Sequence, residues 1–156
     1  MRKKYLYKSK RFSDLTIEEL YEIAKVRYEV FACEQKITCE NDFDDKDKEC
    51  VHLFAIDNEG NKEKIVGYCR LLPPGLAYKE ASIGRVLVLK EYRGKNIGAE
   101  MMRVAIKEIE THYGKDKITI SAQSYIKGMY ERVGFKQVSD EYDEAGISHI
   151  KMKFGI

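Results

Sequence analysis

The chain has 156 residues, 44% hydrophobic and 35% charged, the size and balance of one folded unit with one buried core. Twenty-eight Lys and Arg stand against 26 Asp and Glu, a formal net charge of +2, so bulk charge gives no reason to expect a nucleic-acid partner, and no membrane partner is expected either. The basic start MRKKYLYKSKRF has no apolar run after it that could act as a signal-peptide core, and no stretch reaches membrane-spanning length, so a cytoplasmic, single-domain protein over 1–156 is expected. The four cysteines (33, 39, 50 and 69) lack paired short spacings, so reduced, separate thiols and no metal site are expected, although Cys33, Cys39, Cys50 and His52 together offer zinc-ligand chemistry.

In chain order, Tyr5 to Lys8 reads as a first strand. Thr16 and Glu19 form a capping box, and Ile17, Tyr21, Ala24, Tyr28 and Phe31 recur at helical spacing, which predicts a helix to about Cys33. Residues 38–50 are acidic and irregular, either a solvated loop or an attractor for a cationic amine. VHLFAID (51–57) and KIVGYCRLL (64–72) flank a turn at 58–61 and predict two strands. Pro73-Pro74-Gly75 marks the next turn, and the nearly continuous apolar run 82–89 predicts a central strand. Met102, Ala105, Ile106, Ile109 and Tyr113 mark a helix from Asn96 to about His112, with Gly114 at its end. A strand over 117–123, a short helix from Ser124 to Val133 stopped by Gly134, and two closing strands (135–140 and 147–154) joined by an acidic loop complete the order. Meandering strands followed by strand-helix-strand units imply a mixed α/β sheet with helices on both faces, not a doubly wound sheet or a sandwich.

The chemistry is written at the junction of strand and helix, Arg93-Gly94-Lys95-Asn96-Ile97-Gly98-Ala99. Gly94 can take positive φ, and Gly98 sits in the first helical turn at a cost of about 1 kcal/mol in propensity relative to Ala. First-turn N–H groups lack helical acceptors and stand at the positive end of the dipole, and Arg93 and Lys95 add charge. That combination suits a pyrophosphate; a surface turn with incidental cations is the bland alternative. A Walker loop is excluded by the absence of Gly-Lys-Ser/Thr, and the three-glycine spacing of a dinucleotide fingerprint is missing.

This loop resembles that of the GNAT superfamily of acyl-CoA-dependent N-acetyltransferases, Gln/Arg-x-x-Gly-x-Gly/Ala, with Asn96 departing from the middle glycine. An ElaA-like subgroup is resembled by the run Arg27 to Gln35, by Glu40-Asn-Asp42, His52-Leu, Arg70-Leu-Leu-Pro73, Ile83-Gly84-Arg85-Val86, Ala122-Gln123, Tyr130 to Phe135 and Glu144 to His149. The resemblance implies a GNAT fold, mostly antiparallel, in which the Gly84 to Leu89 strand splays from the Ile118 to Gln123 strand. The pantetheine arm of acetyl-CoA would then pair with backbone around Val86, Leu87 and Val88 near Gln123, and its pyrophosphate would sit on 93–99. It also implies transfer of an acetyl group to a primary amine or peptide acceptor. Tyr130 is the implied acid for the departing thiolate, with Glu34, His52, His149 and Glu144 as candidates around the base, and Arg70 and Arg85 as carboxylate-orienting or structural groups. A homodimer is compatible with this fold. Two other readings stay open: an acyl-homoserine-lactone synthase, resembled by Arg27-x-x-x-Phe31 and the 40–45 acids, and a domain that binds acetyl-CoA without turnover.

Overall fold

A computed structural model describes residues 3–156. Strand β1 (Leu6–Arg11) is followed by α1 (Ile17–Arg27), which runs on as a π-helical segment, Tyr28–Glu34. Thr16 and Glu19 exchange the two hydrogen bonds of a capping box, at 2.9 and 3.0 Å. The strand pair β2 (Val51–Asp57) and β3 (Lys64–Leu72) comes next, then β4 (Ser82–Val88) and α2 (Ile97–Tyr113). The chain closes with β5 (Ile118–Gln123), α3 (Lys127–Arg132), β6 (Phe135–Gln137), β7 (Tyr142–Glu144) and β8 (Ile147–Phe154).

All seven residues of β2 and eight of the nine in β3 are buried, which requires cover on both faces of the sheet. Leu53, Cys69 and Leu71 meet Met101, Met102, Ala105 and Ile106 of α2 on one face. Phe54, Ile56, Val66 and Tyr68 meet Ile23, Val26, Val30 and Phe31 of the first helix on the other. The helical stripe expected from sequence packs only at its end: Phe31 is buried, but Ile17, Tyr21 and Tyr28 are 90%, 66% and 65% exposed. The inward face carries Ile23, Val26 and, unexpectedly, the buried Arg27.

The strands form two antiparallel ladders, β1-β2-β3-β4 and β5-β8-β6, with β7 also on β8. Among the described residues they pair at one end only, through a parallel bridge from Ala81 to Ile118 in which Thr119 N–H donates to Ala81 O at 3.1 Å. Beyond it β4 and β5 splay. The expectation that 82–89 is central is therefore corrected: β4 is the last strand of its ladder, apolar because its faces are covered and not because it has two ladder neighbours. The acidic loop before β8 also differs, since 142–144 pairs as β7 around a two-residue turn, with Ala145 and Gly146 at φ 54° and 81°. Among the described residues no helix is long and apolar enough to cross a membrane.

Candidate active site

The outer edge of β4 is open by construction. Leu89 N–H bonds Val66 O at 2.9 Å, so Leu89 and Leu87 turn their backbone groups to β3. Antiparallel alternation then turns those of Val88 and Val86 outward, into the splay. Of the three residues expected to pair with a pantetheine arm, Leu87 is thus committed to β3 and buried, and Val86 and Val88 are available.

After β4 the chain passes a single turn at Lys90–Tyr92 and reaches the glycine loop. Gly94 has φ 79° and open space where a Cβ would stand. Asn96 caps α2 in the left-handed region, φ 65° and ψ 16°, with no capping bond from its side chain. That conformation explains why Asn can stand where the family pattern has Gly: it is the non-glycine residue that adopts positive φ most readily. Glu100 N–H is the first to bond along the helix, to Asn96 O at 3.2 Å, so the N–H groups of Ile97, Gly98 and Ala99 have no helical acceptor. Ile97 and Ala99 bury their side chains, so only their backbone serves the loop's outer surface, where Lys95 is exposed. Arg93 donates Nε–H to Val88 O at 2.9 Å and both terminal nitrogens to the Glu34 carboxylate at 2.5 and 2.8 Å.

Past the loop, a cleft of about 460 Å³ opens between the splayed strands and is lined by Val86, Gln123, Tyr130, Glu144 and His149 among others. Tyr130 is 4% exposed and meets Phe135 edge-on, with ring centroids 5.9 Å apart. Burial pushes its phenol above the ordinary tyrosine range, and among the described residues no hydrogen bond engages the hydroxyl. His149 Nδ1 lies 2.7 Å from Ile147 O. A carbonyl only accepts, so Nδ1 carries a hydrogen, and in the neutral ring Nε2 presents a lone pair. Nε2 lies 3.4 Å from Glu144 Oε2. Gln123 is held by a reciprocal amide pair with Gln35, at 3.0 and 3.3 Å, which ties the end of the π-helical segment to β5.

Other candidates stand elsewhere. His52 is 1% exposed and does not line the cleft. Its Nδ1 meets Tyr68 OH at 2.7 Å and its Nε2 meets Asp47 O at 2.8 Å, so both nitrogens are satisfied, and burial holds it below the ordinary histidine range. Glu34 carries the Arg93 ion pair, whose hydrogen bonds hold its carboxyl below the usual range and make it a poor proton acceptor. Arg70 and Arg85 join Arg27 in a hub with three aspartates of the acidic segment. Arg27 pairs with Asp42 and Asp47, Arg70 with Asp44 and Asp47, and Arg85 with Asp42 and Asp44. Three aspartates of the segment are therefore folded onto guanidinium groups, those of Arg27 and Arg70 buried, while Glu40 remains exposed at the cleft. Arg85 reaches them from φ 51° at an irregularity in the β3–β4 ladder, a strained conformation for a non-glycine residue.

Cys33 and Cys39 are exposed and Cys50 and Cys69 buried, and no cluster of three metal-ligating side chains occurs among the described residues. A larger groove, about 1,510 Å³, runs beside α1. Its lining mixes Lys and Glu and includes neither Tyr130 nor His149, so the smaller cleft is where reactive groups converge. Sequence reasoning missed Ser121, which lines the cleft beside Gln123. Two-residue spacing along β5 is the signal that puts the two on one face.

Residues 18–156 match the family model described as an acetyltransferase (GNAT) domain. A UPF0039 protein of Synechocystis sp. is 37% identical over 146 residues, which cover 94% of this chain and 92% of that protein. The crystal structure of an acyl-CoA N-acyltransferase from Pseudomonas aeruginosa is similar at 31% identity and TM-score 0.85, covering 97% of this chain and 100% of that one. Escherichia coli ElaA is similar at 26% identity and TM-score 0.86, covering 97% and 99%.

Proposed function

Since the chain belongs to the GNAT acetyltransferase family, we propose that it transfers an acetyl group from acetyl-CoA directly to a primary amine, with 1–156 acting as one domain. One juxtaposition carries the reading: His149 Nε2, the ring nitrogen that no carbonyl engages, lies beside Glu144 and lines the same cleft as the Tyr130 phenol, and the open edge of β4 borders it.

The loop supplies the donor site. Free N–H groups of Ile97, Gly98 and Ala99, with the backbone of Gly94 to Asn96, hold the pyrophosphate, and Arg93 and Lys95 add charge. Outward groups of Val86 and Val88 pair with the pantetheine arm as an added strand would. At the other wall Glu144 draws an ammonium and His149 Nε2 takes one of its protons. The freed amine attacks the thioester carbon, and the outward Val86 N–H supports the oxyanion. The C–S bond then breaks. Tyr130 protonates the departing sulfur in a cleft where a bare thiolate is penalised by the same burial that keeps the phenol protonated. Nitrogen loses two protons in all: one ends on CoA sulfur through Tyr130, the other leaves through His149 to solvent.

Thiol release from acetyl-CoA across a panel of alkylamines, polyamines, aminoglycosides and peptides tests this. Release that depends on an amine is expected. Release only from an acylated carrier protein, or tight acetyl-CoA binding with no turnover on any amine, would overturn it.

A further inference from the structure

Behind Glu144 lies a chain of polar contacts that the mechanism above does not use. Lys151 Nζ donates to the hydroxyls of Tyr78 and Tyr142, both at 3.0 Å, and lies 4.9 and 4.7 Å from their ring centroids. Tyr142 OH and Ser121 Oγ are 2.5 Å apart. Ser121 Oγ donates to Glu144 Oε1 at 3.2 Å, and the other oxygen of that carboxylate faces His149. The tight turn at Ala145-Gly146 fixes the register that sets Tyr142 opposite His149, and their rings stack with centroids 6.2 Å apart and planes 26° from parallel.

The direction of this chain follows from hydrogen-bond inventory. An ammonium only donates, so Tyr142 accepts from Lys151. A carboxylate only accepts, so the Ser121 hydrogen goes to Glu144, and the Tyr142 hydrogen is left for Ser121. Every hydrogen in the relay points toward Glu144. The need for such support is clear from the other side. The Glu144 side chain is 48% exposed on a three-residue strand and lies 3.4 Å from His149 Nε2; when the ring is neutral both are acceptors and repel until a donor engages the two of them.

We propose that Ser121, Tyr142 and Lys151 are positioning residues that hold the Glu144 carboxylate beside His149 Nε2, so that the two acceptors form a seat for a nitrogen bearing at least two hydrogens. The inference rests on the reading of His149 and Glu144 as the proton-accepting pair. It narrows the acceptor to a protonated primary alkylamine, and it disfavours hydroxyl and arylamine acceptors, which carry no positive charge at neutral pH.

The test uses n-butylamine as the probe acceptor with acetyl-CoA, and n-butylammonium binding followed through the His149 ring resonances of ¹⁵N-histidine-labelled protein. Ser121→Ala and Tyr142→Phe should lower kcat/KM for the amine by about ten- to hundredfold, as misplaced catalytic groups do, and weaken butylammonium binding. Both should leave acetyl-CoA binding and melting temperature near wild type, and Ser121→Thr, which keeps the hydroxyl, should restore the rate. Unchanged amine kinetics in Ser121→Ala and Tyr142→Phe would overturn the inference, as would a parallel fall of acetyl-CoA binding and melting temperature, the mark of a mere hairpin staple. His149→Gln separates the two layers. If turnover survives that change, the base assignment fails, and the ammonium seat is then judged by the resonance titration alone; no shift on adding butylammonium to wild type would overturn it.

Discussion

His52 and His149 both sit on strands, and both are buried, 1% and 7% exposed. Their surroundings make them opposites. Asp47 O must accept from His52 Nε2, so Nδ1 accepts from Tyr68 OH, and nothing on that ring is left over. His149 spends its Nδ1 hydrogen on a carbonyl of its own strand and leaves Nε2 for the cleft. The same contrast separates the carboxylates: Asp44 is engaged by Arg70 and Arg85, whereas Glu144 faces the cleft. Availability for chemistry is set by which valence the neighbours leave open, not by burial or strand position.

The largest expected effect tests this directly. His149→Gln should cut turnover by about 10²–10⁴-fold, the range of a lost general base, in a protein that still folds. His52→Gln should cost about 1–3 kcal/mol of stability in an unfolding titration and leave turnover per folded molecule intact. The reverse pattern would break the comparison. The two sites also separate with pH. His52 has its folded pKa depressed by burial, so its contribution to stability is present above the ordinary histidine pKa of about 6.5 and is lost as pH falls below it toward the folded value. Asp44 is held at about 2 by Arg70, so its own contribution to stability persists until pH drops through the 3.8-to-2 window. Replacing His52 by Leu should flatten the loss of stability that begins as pH falls below about 6.5 and leave the acid limb set by Asp44.

Tyr130 comes next. Its phenol is buried with no hydrogen-bond partner among the described residues, a second group left open toward the cleft. Tyr130→Phe should lower turnover by about 10²-fold and leave acetyl-CoA affinity within a few-fold of wild type. Unchanged turnover in the Phe variant would return Tyr130 to the core beside Phe135.

What could be read from sequence follows the same division. The strands β2, β3 and β5, the helix α2 and the turn at Gly94 are legible because local period and positive φ leave marks within a few residues of each other. The packed face of α1 was not, because Arg27 sits inward where an apolar residue is expected, and it can do so only because Asp42 and Asp47 come to meet it from 15 and 20 residues away. His52 and His149 look alike in sequence because the groups that distinguish them, Tyr68 in one case and Glu144 with Ile147 in the other, are set by ladder register and a two-residue turn. β7 was hidden inside an acidic loop for want of length.

The glycine loop is the backbone version of an open valence. Val at Gly94 would be a β-branched residue at φ 79°, strained by about 1–2 kcal/mol, and should weaken acetyl-CoA binding by about five- to thirtyfold in calorimetry. Asn96→Ala keeps every backbone N–H and puts an unbranched residue at φ 65°, a smaller strain, so it should cost only a few-fold. The opposite order would mean that the Asn96 amide, and not the cradle, holds the phosphate.

Arg93 is the intermediate case, and the smallest effect. In the free protein its guanidinium is engaged on Glu34 and on Val88 O, the carbonyl that a pantetheine arm would need. Unlike the Arg70 and Asp44 side chains, 5% and 31% exposed, the Arg93 and Glu34 side chains are 41% and 36% exposed. Exposed pairs contribute about 0.2–1 kcal/mol, so a pyrophosphate can displace Glu34 at little cost. Glu34→Gln should therefore tighten acetyl-CoA binding, by at most about fivefold, and the gain should shrink as salt screens the pair. If the substitution weakens binding instead, Glu34 is holding Arg93 in place for the phosphate, and the pair belongs with the hub as scaffold. If it lowers turnover at saturating acetyl-CoA, Glu34 acts on the acceptor despite the guanidinium that holds its proton affinity down.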